Sequence, residues 1–232
     1  RTRQLTIHVL VPGARGGRTL PRLAEAVRQW VGARTEAAFA VVMDGTPALP
    51  TRYTGRLGIP PFAELGKIMV LRLPASGIPV EPADGWSATA ERGSACYLHL
   101  SAGGYACLGG DAAARSEMEP LWLVEPGGRA CGRLEDTRRA KRLIADDGVE
   151  MRSAHLSCFA YLDRAAGVRL LQVALRRAAG RSFPALFVAI AAPEADAFCQ
   201  ALGEMNVVAA PATVFGTGIE PVSLWKINTA EI

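Results

Sequence analysis

Few side chains in this 232-residue chain could move a proton or act as a nucleophile. His8 and His155 titrate in the range useful for acid–base chemistry. Each lies in an apolar run, Leu5-Thr6-Ile7-His8-Val9-Leu10-Val11 and Ser153-Ala154-His155-Leu156-Ser157-Cys158-Phe159. Cys158 stands beyond His155 at a spacing that sends the two side chains to opposite faces of a regular strand, which argues against a Cys–His pair. The carboxylates Glu135 and Asp136 are further candidate bases, and the basic run Arg138-Arg139-Ala140-Lys141-Arg142 comes directly after Thr137. Acid leading base suits a helix dipole, so residues 135–142 are expected to form a solvated surface helix. Three histidines without short spacing argue against a catalytic zinc, and no G-x-S-x-G elbow marks a serine hydrolase. The five cysteines, Cys96, Cys107, Cys131, Cys158 and Cys199, contain no C-x-x-C pair. They read as reduced core residues of a cytoplasmic protein rather than a zinc ribbon or a disulfide framework.

The elements that must position these groups occur twice. The first copy is the strand with His8, a loop over 12–18, a helix over 20–31 and a strand over 39–43. The second is the strand with His155, a loop near 163–167, a helix over 168–179 and a strand over 185–190. A shared register across four elements points to duplication of one domain type. A short helix near 51–58 and a strand over 67–73 close the first block. A helix over 194–205 and strands over 207–215 and 222–227 close the second. Residues 74–84 carry Pro74, Gly77, Pro79 and Pro82, and a linker is expected at 75–84. Beyond it, strands are expected at 95–100, 105–108 and 121–124, separated by Gly-rich turns, as in an antiparallel meander. Residues 85–232 thus read as a complete unit, and residues 1–74 as the rear half of another whose front half is absent. A chain beginning with Arg1 and entering a strand almost at once is expected to be a fragment of a longer protein.

Half of the residues are hydrophobic and 21% are charged, as in an ordinary globular domain. A net charge of +4 suits an anionic ligand but does not by itself imply nucleic acid, and no basic stretch is interleaved with aromatics for base stacking. No apolar run is long enough to span a bilayer.

This order of elements resembles the GNAT superfamily of acyl-CoA-dependent N-acyltransferases. The likeness rests on residues 5–31 with the loop Ala14-Arg15-Gly16-Gly17-Arg18-Thr19-Leu20, on Arg52-Tyr53-Thr54-Gly55-Arg56-Leu57-Gly58, and on residues 185–203. In that family a glycine-rich loop at a helix N-terminus cradles a pyrophosphate with backbone N–H groups. The resemblance therefore implies an α/β (α+β) fold, a mixed, mostly antiparallel sheet flanked by helices, here duplicated with degenerate acyl-CoA motifs. It implies acetyl-CoA or another acyl-CoA as co-substrate, no metal, and an amine acceptor, with no nucleic acid and no membrane as partners; a homodimer is left open. The implied cofactor residues are Val9, Val11, Arg15, Gly16, Gly17, Arg18 and Thr19. Tyr53 falls where the family often carries the acid for the leaving thiolate, and Glu135 and His155 are the bases chosen with it. Starting the loop pattern at Arg15 places Arg18 and Leu20 where small residues belong, and the second loop carries Asp163 beside its anion position. The competing reading is accordingly a non-catalytic GNAT-like scaffold for ligand sensing or partner binding.

Overall fold

A computed structural model describes residues 22, 26, 29, 37–47, 49–52, 54–55, 60–79, 85–102, 104–106, 111–142, 144, 147–203, 205–221 and 224–232. The chain divides into two compact units, Arg1–Gly66 with Thr213–Pro221, and Lys67–Ala212 with Val222–Ile232.

The first unit holds β1 (Ala38–Met43), the start of β2 (Ala63–Pro74) and the end of β9 (Val208–Thr217), with β9 between the other two in the strand order. At Gly216 an added Cβ would lie 2.6 Å from the Ala38 carbonyl oxygen, so only glycine lets the strands approach this closely. Thr213 Oγ1 donates to Asp44 Oδ1 at 2.9 Å. Arg22, Ala26 and Gln29 are helical and exposed, as the expected helix over 20–31 requires. The remainder of that block, including residues 5–20, lies outside the described residues.

In the second unit the strand order is β2-β8-β7-β6-β5-β3, with β3 at Ser87–Ala88, β5 at Leu121–Val124, β6 at Ala130–Glu135, β7 at Ala154–Tyr161 and β8 at Ala185–Ala191. All neighbours are antiparallel except β7 and β8. These two pair in parallel only at Ala154↔Leu186 and His155↔Phe187, and splay apart beyond. The strand beside β8 is β2, with register pairs from Ile68↔Ala191 to Pro74↔Ala185. The expected strand over 222–227 is not the neighbour of β8 among the described residues. Within that stretch the described residues form the short β10 (Trp225–Lys226), parallel to β4 (Tyr105–Ala106).

One sheet face is apolar. Leu71, Leu73, Leu134, Leu156, Leu186 and Val188 pack against α3 (Arg164–Ala179) and α4 (Ala195–Ala201). Helix α3 turns Leu170, Leu171, Ala174, Leu175 and Ala178 inward and ends with Arg176 and Arg177, whose charge favours a helix C-terminus. Gly167 is fixed by packing, since a Cβ there would meet Tyr161 Cγ and Phe198 Cζ at 3.0 Å each.

Two sequence expectations are corrected on the opposite face. Residues 95–100 lie within helix α1 (Ala90–Leu100), not in a strand. Thr89 caps the helix by accepting the Arg92 N–H, and Gly93 and Tyr97, one turn apart, bury against Trp122, overriding the β-forming residues in the run. Residues 135–142 are not a surface helix. Glu135 ends β6 fully buried, and the Asp136 carboxylate accepts the backbone N–H groups of Glu117, Met118 and Arg138 at 2.8–3.0 Å, folding the chain into a turn. The local charge pattern could not reveal partners supplied from twenty residues upstream.

Candidate functional site

Cross-strand register sets the site. Arg72 on β2 lies opposite Phe187 on β8, Phe187 opposite His155 on β7, and His155 opposite Glu135 on β6. Directly opposite residues share a sheet face, so Arg72, His155 and Glu135 form one polar row, with Phe187 set between Arg72 and His155. Two of the three expected catalytic residues, Glu135 and His155, are therefore brought together. The third, Tyr53, lies outside the described residues, as do Val9, Val11, Arg15, Gly16, Gly17, Arg18 and Thr19.

Glu135 is wholly buried and hydrogen-bonded by two arginines. Arg115, from the short α2 (Ala112–Arg115), donates through Nε at 2.7 Å and Nη2 at 2.9 Å, and Arg133 adds Nη2 at 3.3 Å. Arg115 also donates through Nη1 to Glu231 at 2.8 Å. Burial opposes the Arg115 charge, yet Glu135 and Glu231 outweigh it and raise its pKa. Both Glu135 oxygens are thus already engaged by guanidinium groups.

The His155 ring is buried, stacks on Phe187 at 5.5 Å between centroids, and shares a 3.0 Å hydrogen bond between Nδ1 and Thr229 Oγ1. Burial, together with the positive charges of Lys141 and Arg115, lowers its pKa to about 3. The imidazole is thus neutral near pH 7 and reluctant to accept a proton. Lys141 is itself lowered by burial and by Arg115, and it donates to the carbonyls of Thr229, at 3.4 Å, and of Ile232.

Cys158 corrects the alternation argument. Its φ of +52° and the register shift between Cys131 and Arg133 mark a bulge in β7, which restarts the alternation. Cys158 consequently packs with Tyr97, Trp122 and Cys131, on the face that carries Arg133 and Ser157. Burial pushes its thiol up to about 12, so it offers no thiolate for nucleophilic attack. The bulge turns the Cys158 N–H away from the ladder, where Asn228 Oδ1 accepts it at 2.7 Å.

The splay between β7 and β8 is occupied by the chain itself. β10 and the 3₁₀ turn Thr229–Glu231 contact both strands, and the Trp225 side chain is fully buried. Asn228 on Cys158, Thr229 on His155 and Glu231 on Arg115 clasp this segment to the polar row. At the far end of β7, Asp163 caps α3 with Oδ1 accepting the Ala166 N–H at 3.0 Å, while Oδ2 pairs with Arg129 at 2.5 Å. The hydrogen bond from Ala166 and the Arg129 charge lower the Asp163 pKa. Groups that could cradle a carbonyl or phosphate here are thus engaged by a side-chain amide and a side-chain carboxylate. The sequence pattern singles out Asp163 but not Arg115, Asn228 or Thr229, whose partners are distant in the chain and unmarked by any motif.

Among the described residues no cluster of three or more His, Cys, Asp or Glu could hold a metal, and no helix is long and apolar enough to cross a membrane. No protein-family model and no curated protein sequence matches the chain. Solved structures do match. A protein from Novosphingobium aromaticivorans described as a GNAT-family acetyltransferase is 18% identical, with a TM-score of 0.48 over 89% of this chain and 82% of its own. A GCN5-related N-acetyltransferase from Anabaena variabilis is 11% identical, with a TM-score of 0.50 over 88% of this chain and 52% of its own. A Saccharomyces cerevisiae N-myristoyltransferase, solved with bound myristoyl-CoA, is 8% identical, with a TM-score of 0.56 over 95% of this chain and 62% of its own. The chain therefore spans about half of the Anabaena protein and about three fifths of the yeast enzyme. With its mostly antiparallel sheet, the splayed parallel pair β7 and β8 and its flanking helices, the chain has the GNAT-like fold that these proteins share.

Proposed function

We propose that the chain is an acyl-CoA-dependent N-acyltransferase that moves an acetyl group to an amine of a small molecule or a protein, with the cofactor held by its first unit. The observation that supports this reading is the GNAT-like fold shared with acyl-transferring enzymes. Val9, Val11, Arg15, Gly16, Gly17, Arg18 and Thr19 form the proposed cradle, with two guanidinium groups beside a permissive Gly-Gly loop at a helix start. The amine attacks the thioester carbonyl, the carbon–sulfur bond breaks, and Tyr53 protonates the departing thiolate. The proton lost by the ammonium goes to His8, the base candidate in the same block as the cradle. Glu135 and His155 are assigned structural roles, since one is saturated by arginines and the other is buried and neutral.

A second reading, a non-catalytic scaffold, is favoured by one observation. In the larger unit the splay is filled by 225–231 and the α3 N-terminus is capped by Asp163. We assign that unit the role of a copy that has given up its groove, in a tandem arrangement with a functional first copy. Calorimetry with acetyl-CoA, combined with assays of acetyl transfer to a panel of amines, tests the proposal. The expected outcome is binding by the native protein, and by a Tyr53→Phe variant whose transfer rate falls by about 10²-fold. Absence of binding at millimolar acetyl-CoA would leave only the scaffold.

A further inference from the structure

A second groove lies at the opposite end of β7 and β8 from Asp163. It has a volume of about 320 Å³ and is lined by Arg72, Val149, Glu150, Met151, Arg152 and Phe187, among others. Its walls are amphipathic in a specific way. Phe187 and the exposed side chains of Val149 and Met151 supply apolar surface. Two guanidinium groups supply charge. Arg152 is held over the Phe183 ring at 5.6 Å, and its charge also helps to lower the Glu150 pKa. Arg72, opposite Phe187 in the register, has no acidic partner among the described residues.

The one carboxylate in the lining, Glu150, is already neutralised. It accepts from Arg138 Nε at 3.1 Å and pairs with Arg142 Nη2 at 3.4 Å, and Arg138 holds it below the usual carboxylate range. Arg138 in turn also pairs with Glu117. The groove therefore carries Arg72 and Arg152 against one carboxylate that is already paired with Arg138 and Arg142, beside an apolar floor, a composition that recognises a negatively charged head on a hydrophobic body.

We propose that this groove binds a small amphipathic carboxylate, with its head between Arg72 and Arg152 and its body against Phe187, Val149 and Met151. The planar fork of arginine suits a carboxylate, and two such forks from different elements define where it sits. At about 30 Å³ for a water-sized group, the groove has room for roughly ten of them, which matches an alkyl carboxylate of about eight carbons. This site shares no residue with the proposed cofactor cradle and does not depend on that assignment.

Octanoate is the probe, with octanol as its uncharged counterpart and inorganic phosphate as its bodiless one. Saturation-transfer NMR and calorimetry on the full chain should show octanoate binding with a Kd of about 1 mM or tighter. Octanol should bind at least about tenfold more weakly, phosphate should fail to displace octanoate, and acetyl-CoA should leave its affinity unchanged. Arg72→Met should weaken octanoate about tenfold and Arg72→Lys less, with the far-UV spectrum retained in both. Equal affinity for octanol, displacement by phosphate, or displacement by acetyl-CoA would overturn the proposal. So would unchanged octanoate binding in a folded Arg72→Met, Arg152→Met double variant.

Discussion

Replacing Arg115 by Met removes the two hydrogen bonds that hold Glu135 and the one that holds Glu231, while keeping a side chain of similar length. Burial sets the cost of this change. Glu135 has no exposed side-chain surface, and its remaining cation would be Arg133 at 3.3 Å. Removing one partner of a buried ion pair costs about 3–5 kcal/mol, far more than the net worth of an exposed pair, because the remaining charge cannot be solvated. For a chain of this size each kcal/mol moves the midpoint by about 2–4 °C, so Tm should fall by roughly 6–20 °C. Urea unfolding monitored by far-UV circular dichroism measures the loss directly. The diagnostic comparison is a double variant, Arg115→Met with Glu135→Leu, in which the fully buried Glu135 charge is removed together with its main partner. It should be more stable than Arg115→Met alone, with a coupling of about 1–3 kcal/mol. An Arg115→Met protein within about 1 kcal/mol of the native one, or a double variant whose loss equals the sum of the singles, would refute the view that a buried ion pair anchors the polar row.

Other parts of the clasp make separable predictions. Asn228→Ala leaves the buried Cys158 N–H without its acceptor and should cost about 1–3 kcal/mol in urea unfolding. His155 is neutral in the fold, with its pKa lowered to about 3, whereas in the unfolded chain it protonates below about pH 6.5. The unfolded state therefore binds more protons between these values, and stability falls as pH drops through that window. From pH 7 to pH 5 the native protein should lose about 2 kcal/mol more than a His155→Gln variant, and equal losses would remove the argument. Gly167→Ala pushes a methyl group against Tyr161 and Phe198 and should destabilise by about 1–3 kcal/mol in thermal unfolding, without changing the fold.

The order strand, loop, helix, strand, helix is legible over residues 153–201 because each element there carries its own signal. β7 and β8 are continuous apolar runs, Asp163 is a cap residue, and α3 alternates buried and exposed positions at helical spacing. The features without such a signal depend on distant partners. Residues 90–100 are helical through the Thr89 cap and a face that fits Trp122, against the strand preference of Tyr97 and its neighbours. Glu135 and Asp136 look like solvated acids in the sequence because Arg115 and the 117–118 backbone, their partners, lie about twenty residues earlier. The Cys158 bulge and the course of residues 225–231 depend on each other through Asn228, and neither has a local signature. His155 and Glu135 are of reactive residue types. Their register pairing makes them neighbours, and their burial commits both to holding the fold together.

We propose that acyl-CoA is taken by the first unit while the larger unit keeps its groove closed with its own chain. Hydrogen–deuterium exchange with and without saturating acetyl-CoA tests it most directly, since it reads every backbone amide near either candidate cradle. The expected result is new protection confined to residues 5–31, with the amides of 156–167 and 225–231 unchanged. Protection at 156–167 accompanied by faster exchange at 225–231 would contradict the claim, because the clasped segment would then have been displaced by the ligand.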